Sequence, residues 1–335
     1  MAVRLKDIAA DLGVSTVTVS KVLRGGLDIS ERTRARVLKR MAELNYQPNM
    51  QARGLASGRS FAVGLVVPDL VHPFFGEFAK SLAGALRASG LALVLASSEE
   101  DPEIERQEIR TLVNRGVDVL LVASCQNMEE AEFFTNGNTP LLLIDRNIPK
   151  LQTDFVGSND VLVGELATRH LIGLGRRKVA HIGSHGTSPS EDRSKGFRNA
   201  LGVAGIKLPK SYVVTRERFD EAGDSAGYRA MQEMLAQKHR PDAVFCYNDL
   251  SAVGAMHAAM QAGLSIPGDI AFAGCGNLRY ADYFKVPLTS VDQSIERMGE
   301  AAARRVLTLS TTPGDAPQTT LLEPRLIVRR STVAG

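Results

Sequence analysis

What this 335-residue chain lacks narrows it first. Its three Cys, Cys125, Cys246 and Cys275, are odd in number, far apart and in no CxxC or Cys/His grouping. That argues against a disulfide framework or a zinc site, and for small reduced thiols buried at the ends of apolar runs. No apolar run approaches the length that spans a bilayer. The opening MAVRLKDIAADLG carries charges throughout and no apolar signal core, so a cytoplasmic protein is expected. There is no GxSxG, no P-loop, no HExxH and no GxGxxG after the first strand. Accordingly, no catalytic residue, metal or cofactor is assigned. Trp is absent, yet 44% hydrophobic residues suffice for full cores, and the length accommodates two domains or more.

Charge is nearly balanced overall, at +3, but unevenly placed. Residues 1–60 hold 11 Lys/Arg against 5 Asp/Glu, while the remainder holds 29 against 32. A basic head on a slightly acidic body fits attraction to a polyanion through one end. Charge alone does not separate DNA from RNA or an acidic membrane.

Within that head, LKDIAADLGVSTVTVSKVL (5–23) reads as two short helices around a turn at Gly13-Val14, with Ser15 as N-cap of the second. Val19, Val22 and Leu23 recur at helical spacing and would join Leu5, Ile8, Ala9 and Leu12 in a small core. Thr16, Val17, Ser20 and Lys21 then face outward. Short hydroxyls, one Val and a Lys suit a DNA major groove, where they can reach base edges, a thymine methyl or a phosphate. A small helical domain with a polar face is the alternative. A third helix is expected over Glu31–Leu44, with Val37, Met41 and Leu44 inward and Arg32, Arg34, Arg36, Lys39 and Arg40 mostly outward. Pro48 breaks it. Asn49 can cap a marginal helix over Met50–Ala56, and Ser57–Ser60 reads as a boundary. Leu55 there has no local core to join and could wedge into a minor groove.

From Phe61 the texture changes to buried apolar runs alternating with helices, which indicates parallel sheets covered on both faces. Strands are expected at Phe61–Val67, Leu91–Ala96, Val117–Ala123, Leu141–Ile144, Lys178–Ile182, Tyr212–Val214, Ala243–Cys246 and Ile270–Ala273. Helices should separate them, including one near Met128–Thr135. So many units overfill one open sheet, so two α/β subdomains are expected. Ligands of such sheets sit beyond the carboxyl ends of the strands. This places Asp69, His72, Phe74, Phe75, Ser124, Asp145 and Arg146 there, with His185, Arg193, Phe219, Asn248, Asp249 and Asn277 from the second half. Rings beside carboxylates, amides and two Arg suit a small polar ligand.

The chain resembles the LacI/GalR family of bacterial transcription regulators over essentially its whole length. The resemblance rests on the head segment above and ERTRARVLKRMAELNYQPNMQARGLASG, then VGLVVPDLVHPFF, RGVDVLLVAS, PLLLIDR, SNDVLVGELATRHLIGLGRRKVAHIG, DRSKGF, RPDAVFCYNDLSAVGAM and LTSVDQ. It implies a small all-α helix-turn-helix domain (1–48), a hinge helix and linker (49–60) and a periplasmic-binding-protein-like core (61–335). That core would comprise two doubly wound parallel-sheet subdomains joined by three crossings. One takes about 61–161 and 292–323, the other about 162–291 and 324–330.

By the same resemblance, Thr16, Val17 and Lys21 match base-reading positions, with Ser15 and Ser20 beside them. Leu55 matches the hinge leucine that enters the minor groove, next to Arg53. Phe74, Phe75, Asp145, Arg193, Phe219, Asn248, Asp249 and Gln293 match effector-cleft positions, with Arg146 adjacent. The implied protein is a homodimeric repressor of a pseudo-palindromic DNA operator, controlled by a sugar or sugar derivative. Two departures stand out. His72 replaces the usual Asn of NPFF, and Gly276 replaces an Asp that commonly bonds effector hydroxyls. Losing that carboxylate while keeping Arg193 and Arg146 raises the expectation of an effector that is anionic or less hydroxylated than a plain hexose, such as a sugar acid or sugar phosphate. A solute-binding protein or a sugar- or nucleoside-processing enzyme, with Asp145 and Asp249 as its acid–base pair, would share the core fold.

Overall fold

A computed structural model describes residues 3–23, 26, 28–46, 58–125, 139–216, 223–312 and 314–333. The expected helices at Met50–Ala56 and Met128–Thr135 lie outside the described residues, as do Arg53, Leu55 and Phe219. The chain divides into two compact units, Met1–Ser60 and Phe61–Gly335.

The first unit contains helices α1 (Leu5–Leu12), α2 (Thr16–Leu23) and α3 (Glu31–Glu43). Ile8, Ala9, Val19, Val22, Val37 and Met41 form its buried centre, ringed by half-buried Leu5, Leu12, Leu23 and Leu44. Each boundary has a local cause. Gly13 ends α1 in the left-handed region at φ +63°, where a side chain would be strained. Ser15 Oγ accepts the Thr18 amide at 3.0 Å and caps α2, and Ser30 Oγ accepts the Thr33 amide and caps α3. Three arginines expected on the outer face of α3 instead stitch the unit together. Arg36 donates to the Leu12 carbonyl at the end of α1, Arg34 to the Gly26 carbonyl, and Arg40 to Asp11 at 2.6 Å. A unit this small gains little from burial alone, so such ties matter.

The second unit begins with a parallel sheet of β1 (Ala62–Val67), β2 (Ala92–Ser97), β3 (Val119–Val122), β4 (Leu141–Ile144) and β5 (Asp154–Ser158). Helices α4 (Pro73–Ala88) and α5 (Pro102–Asn114) connect its first strands. The chain then crosses to a second sheet through α6 (Asp160–Gly173), followed by β6 (Val179–Ser184), α7 (Ser188–Val203), β7 (Val213–Arg216), α8 (Gly223–Leu235), β8 (Ala243–Cys246), α9 (Asp249–Gln261), β9 (Ala271–Cys275) and β10 (Thr289–Asp292). Helix α10 (Ile295–Thr311) returns it to the first sheet at β11 (Thr319–Leu322), and β12 (Arg325–Ile327) ends in the second. The orders are β11-β5-β4-β3-β1-β2 and β12-β10-β9-β8-β6-β7, parallel throughout except for antiparallel β10/β12.

Two-sided burial explains the continuous apolar strands: β3 and β8 are buried at every position. One close contact orders the second sheet's cover. Where α6 meets α7, a Cβ on Gly164 would stand 2.1 Å from the Arg193 carbonyl oxygen, and one on Gly196 2.0 Å from that of Val161. Only glycine lets these backbones approach so closely. Among the described residues, no helix is long and apolar enough to cross a membrane.

Candidate functional site

In the first unit, α2 presents Thr16 and Val17 outward, Val17 being 59% exposed, with Ser20 and Lys21 partly covered. Lys21 is not free: its ammonium pairs with Asp28. Ser15 is engaged as the α2 cap.

In the second unit, a cavity of about 660 Å³ lies at the carboxyl ends of strands from both sheets. A volume of this size suits a small molecule. Phe74, Phe75, Asp145, Arg146, Arg193, Asn248, Asp249 and Gln293, expected in the cleft, all line it. The backbone is distorted around it. Glu99, Glu100, Asp145, Asn277 and Ser294 all have φ between 48° and 58°, a region that non-glycine residues occupy at a cost. These five sit in the turns that carry or flank lining residues.

Side chains reach the site from capped helix starts. His72 precedes α4 and takes the Phe74 amide at Nδ1. Behind it, Phe74 and Phe75 meet edge to face at 5.1 Å, each 5% exposed. Asn248 caps α9 by accepting the Ser251 amide at 2.8 Å, which leaves its Nδ2 3.3 Å from His72 Nε2. Burial keeps the His72 imidazole neutral, its pKa pushed down to about 4.

The charged groups are arranged differently from the sequence expectation. Arg146 grips both oxygens of Glu100, at 2.7 and 3.0 Å, and lies over the Phe75 ring. Arg193 donates Nε to Asp160 at 2.7 Å and Nη1 to the Tyr247 carbonyl, and stacks on the Tyr247 ring at 4.7 Å. Each guanidinium charge is therefore met by a carboxylate of the chain itself. The anionic effector expected from Arg146, Arg193 and the missing Asp is not supported by this arrangement.

Asp249, 1% exposed, has both oxygens engaged, one by the Ser290 hydroxyl at 2.6 Å and one by the Leu278 amide at 2.8 Å. It anchors the segment after β9, and burial raises its pKa to about 6. Gly276 in that segment has φ +123°, so its backbone geometry itself disfavours a side chain. Asp145 differs. It is 7% exposed, and its carboxylate accepts no hydrogen bond from any described residue. Burial raises its pKa although Arg193 and Arg146 act the other way. Gln293 Nε2 is likewise buried without a partner among the described residues. An unanswered acceptor and an unanswered donor at one cleft describe a site built for a polar ligand.

Sequence reasoning missed Glu100, Asp160 and Tyr247, the groups that hold the two arginines. Of the remaining candidates, Asp69 and His72 line the cavity. Ser124 is buried against Glu105 instead, and His185 lies outside the lining beside Glu191.

Comparison with known proteins decides the family. Residues 4–49 match the model for bacterial regulatory proteins of the lacI family, and residues 168–332 match that for a periplasmic binding protein-like domain. The HTH-type transcriptional regulator DegA of Bacillus subtilis (strain 168) is 33% identical over 99% of this chain and 98% of its own length. The ribose operon repressor of Haemophilus influenzae is 34% identical over 98% of each. The chain belongs to the LacI family. This regulator's fold also matches that of the lac repressor dimer bound to operator and the anti-inducer ONPF, at TM-score 0.86 and 25% identity over the full length of both. A CelR–cellobiose complex matches at TM-score 0.74 and 28% identity, over 98% of this chain and 99% of that one. The helical unit of this LacI-family protein is thus a DNA-binding domain of the helix-turn-helix type, and its relatives are regulators rather than enzymes.

Proposed function

We propose that this LacI-family regulator is a cytoplasmic repressor that binds a pseudo-palindromic operator as a homodimer and is controlled by a small polar effector, a sugar or sugar derivative, in the core cleft. Residues 1–48 form the reading head, with Thr16, Val17, Ser20 and Lys21 meeting base edges and phosphates. Ser15 sets the start of the helix that carries them. Residues 49–60 form a hinge in which Arg53 and Leu55 enter the minor groove.

Residues 61–335 bind the effector through Phe74, Phe75, Asp145, Arg146, Arg193, Phe219, Asn248, Asp249 and Gln293. Phe74 and Phe75 offer apolar faces, Asp145 and Gln293 make the direct polar contacts, and Arg146, Arg193 and Asp249 hold the walls. Effector binding changes the angle between the two sheets of the core, and through it the spacing of the paired hinges. The coupling comes from unequal effector affinity for the two arrangements.

The observation that carries this reading is the unanswered Asp145 carboxylate in a cleft of ligand size, on a chain of this family. A gel shift on genomic fragments with and without a metabolite panel tests it. A shifted fragment whose affinity one metabolite changes is expected. A panel-wide lack of effect on a bound fragment would remove the effector from the account.

A further inference from the structure

We propose that the cleft takes an effector bearing a basic nitrogen, a hydroxylated amine of the amino-sugar kind, with its ammonium against the Asp145 carboxylate. The inference rests on the reading of the cleft as an effector site and adds the charge of what enters it. Among the described residues, the lining carries six carboxylates against two guanidiniums. Each guanidinium is already paired with a carboxylate. Arg146 is held by both oxygens of Glu100, and Arg193 by Asp160, which does not itself line the cavity.

The carboxylate left without a hydrogen bond is that of Asp145, 7% exposed and with no donor among the described residues, and the two guanidiniums that act on it are already held by other carboxylates. Asp69, Glu99 and Asp224, all more exposed, add the same sign along the lining. An anion entering this cleft loses its water against a wall of like charge. A neutral hydroxyl hydrogen-bonds Asp145 and leaves its charge to two guanidiniums that other carboxylates already hold. An ammonium compensates that charge and makes a charge-assisted hydrogen bond, roughly twice as strong as a neutral one.

The remaining free groups point to hydroxyls on the same molecule. Gln293 Nε2 and Arg146 Nε are buried donors without a partner among the described residues, and Arg193 Nη2 donates to no described residue. All three need acceptors, which a simple alkylamine lacks and hydroxyl oxygens supply. Phe74 and Phe75 complete the cleft with apolar surface suited to a sugar ring's carbon face.

Calorimetry on the full chain with 2-amino-2-deoxyhexoses, their parent hexoses and the matching uronic acids tests this. An amino sugar is expected to bind about tenfold or more tighter than its parent, with the uronic acid weakest. Asp145→Asn should erase the difference. Independently of any variant, raising the pH through the amine's own titration should erase it in the unaltered protein. A parent hexose or uronic acid that binds as tightly as the amino sugar overturns the inference and leaves the effector-controlled regulator standing. If nothing in the panel binds, and no metabolite alters operator affinity, both fall.

Discussion

The two sheets of the core bring polar groups to one cleft in opposite conditions. On the second sheet's side most groups satisfy each other, Gln293 Nε2 apart: Arg193 with Asp160 and the Tyr247 carbonyl, Asp249 with Ser290 and the Leu278 amide, Asn248 with the Ser251 amide. On the first sheet's side Arg146 is paired with Glu100 but its buried Nε has no partner among the described residues, and Asp145 beside it is left open. A wall whose polar groups are paired holds its shape before ligand arrives. A buried group left unpaired raises the energy of the empty site and is repaired by the ligand. The second side, Gln293 apart, is scaffold; the first is receptor.

Four substitutions would break or sharpen that contrast. The largest effect is expected from Asp160→Ala, which strands the buried Arg193 guanidinium. About 3–5 kcal/mol should be lost, read as a fall in the denaturant midpoint of the core. An unchanged midpoint would mean that the pair does not hold the scaffold.

Next is Gly196→Ala, which forces α6 and α7 apart against a backbone contact of 2.0 Å. A loss of about 1–3 kcal/mol in the same assay follows from overpacking. Effector affinity should fall with it, because the same helix carries Arg193.

Asp249→Asn should cost less, about 1–2 kcal/mol for a disturbed pair of buried hydrogen bonds, and the cost should depend on pH. The folded pKa of about 6 lies above the ordinary aspartate value of 3.8, so between these the folded chain holds more protons than the unfolded one. The contribution of this carboxyl to stability therefore falls as pH rises through that window. Asn mimics the protonated form, so the penalty should be larger at pH 5 than at pH 7, measured as paired melts of variant and parent. A penalty larger at pH 7 would reverse the assignment.

Asp145→Asn should have the smallest effect and the opposite sign. Removing an unpaired buried charge should leave the effector-free core unchanged or stabilise it by up to about 1 kcal/mol. Destabilisation of the size expected for Asp160→Ala would place Asp145 in the scaffold and end the contrast.

Much of this was legible along the chain, and what was not has physical reasons. Strands β4 and β8 match their expected limits to the residue, because fully buried strands write continuous apolar runs. Strand β5 escapes the same reading. It opens on Asp154, buried against Arg305 of α10, 151 positions away, and the Gln318 amide, and it contains Gly157. At β11 the first three residues are exposed, leaving little apolar signal. Helix α10 does carry its pattern, in Met298, Ala302, Val306 and Leu309, but small Ala residues make that stripe faint. Most of the cavity-lining candidates stood at strand ends, where ligands of such sheets sit, while Gln293 came from the family resemblance and Ser124 and His185 fall outside the lining. The charge state of the lining was not legible, since Glu100 lies 46 positions from Arg146 and Asp160 33 from Arg193, and no local pattern records such pairings.

The Lys21–Asp28 pair gives the head a competitor of its own. Nucleic acid that offers only phosphate must displace a carboxylate already in place, exchanging one anion for another. A sequence that places guanine acceptors within reach, while Val17 meets a thymine methyl, adds contacts that the carboxylate does not replace. On the proposed reading of the head, the internal pair would weaken attachment to arbitrary DNA more than attachment to the correct site, and Asp28 would contribute to choosing one.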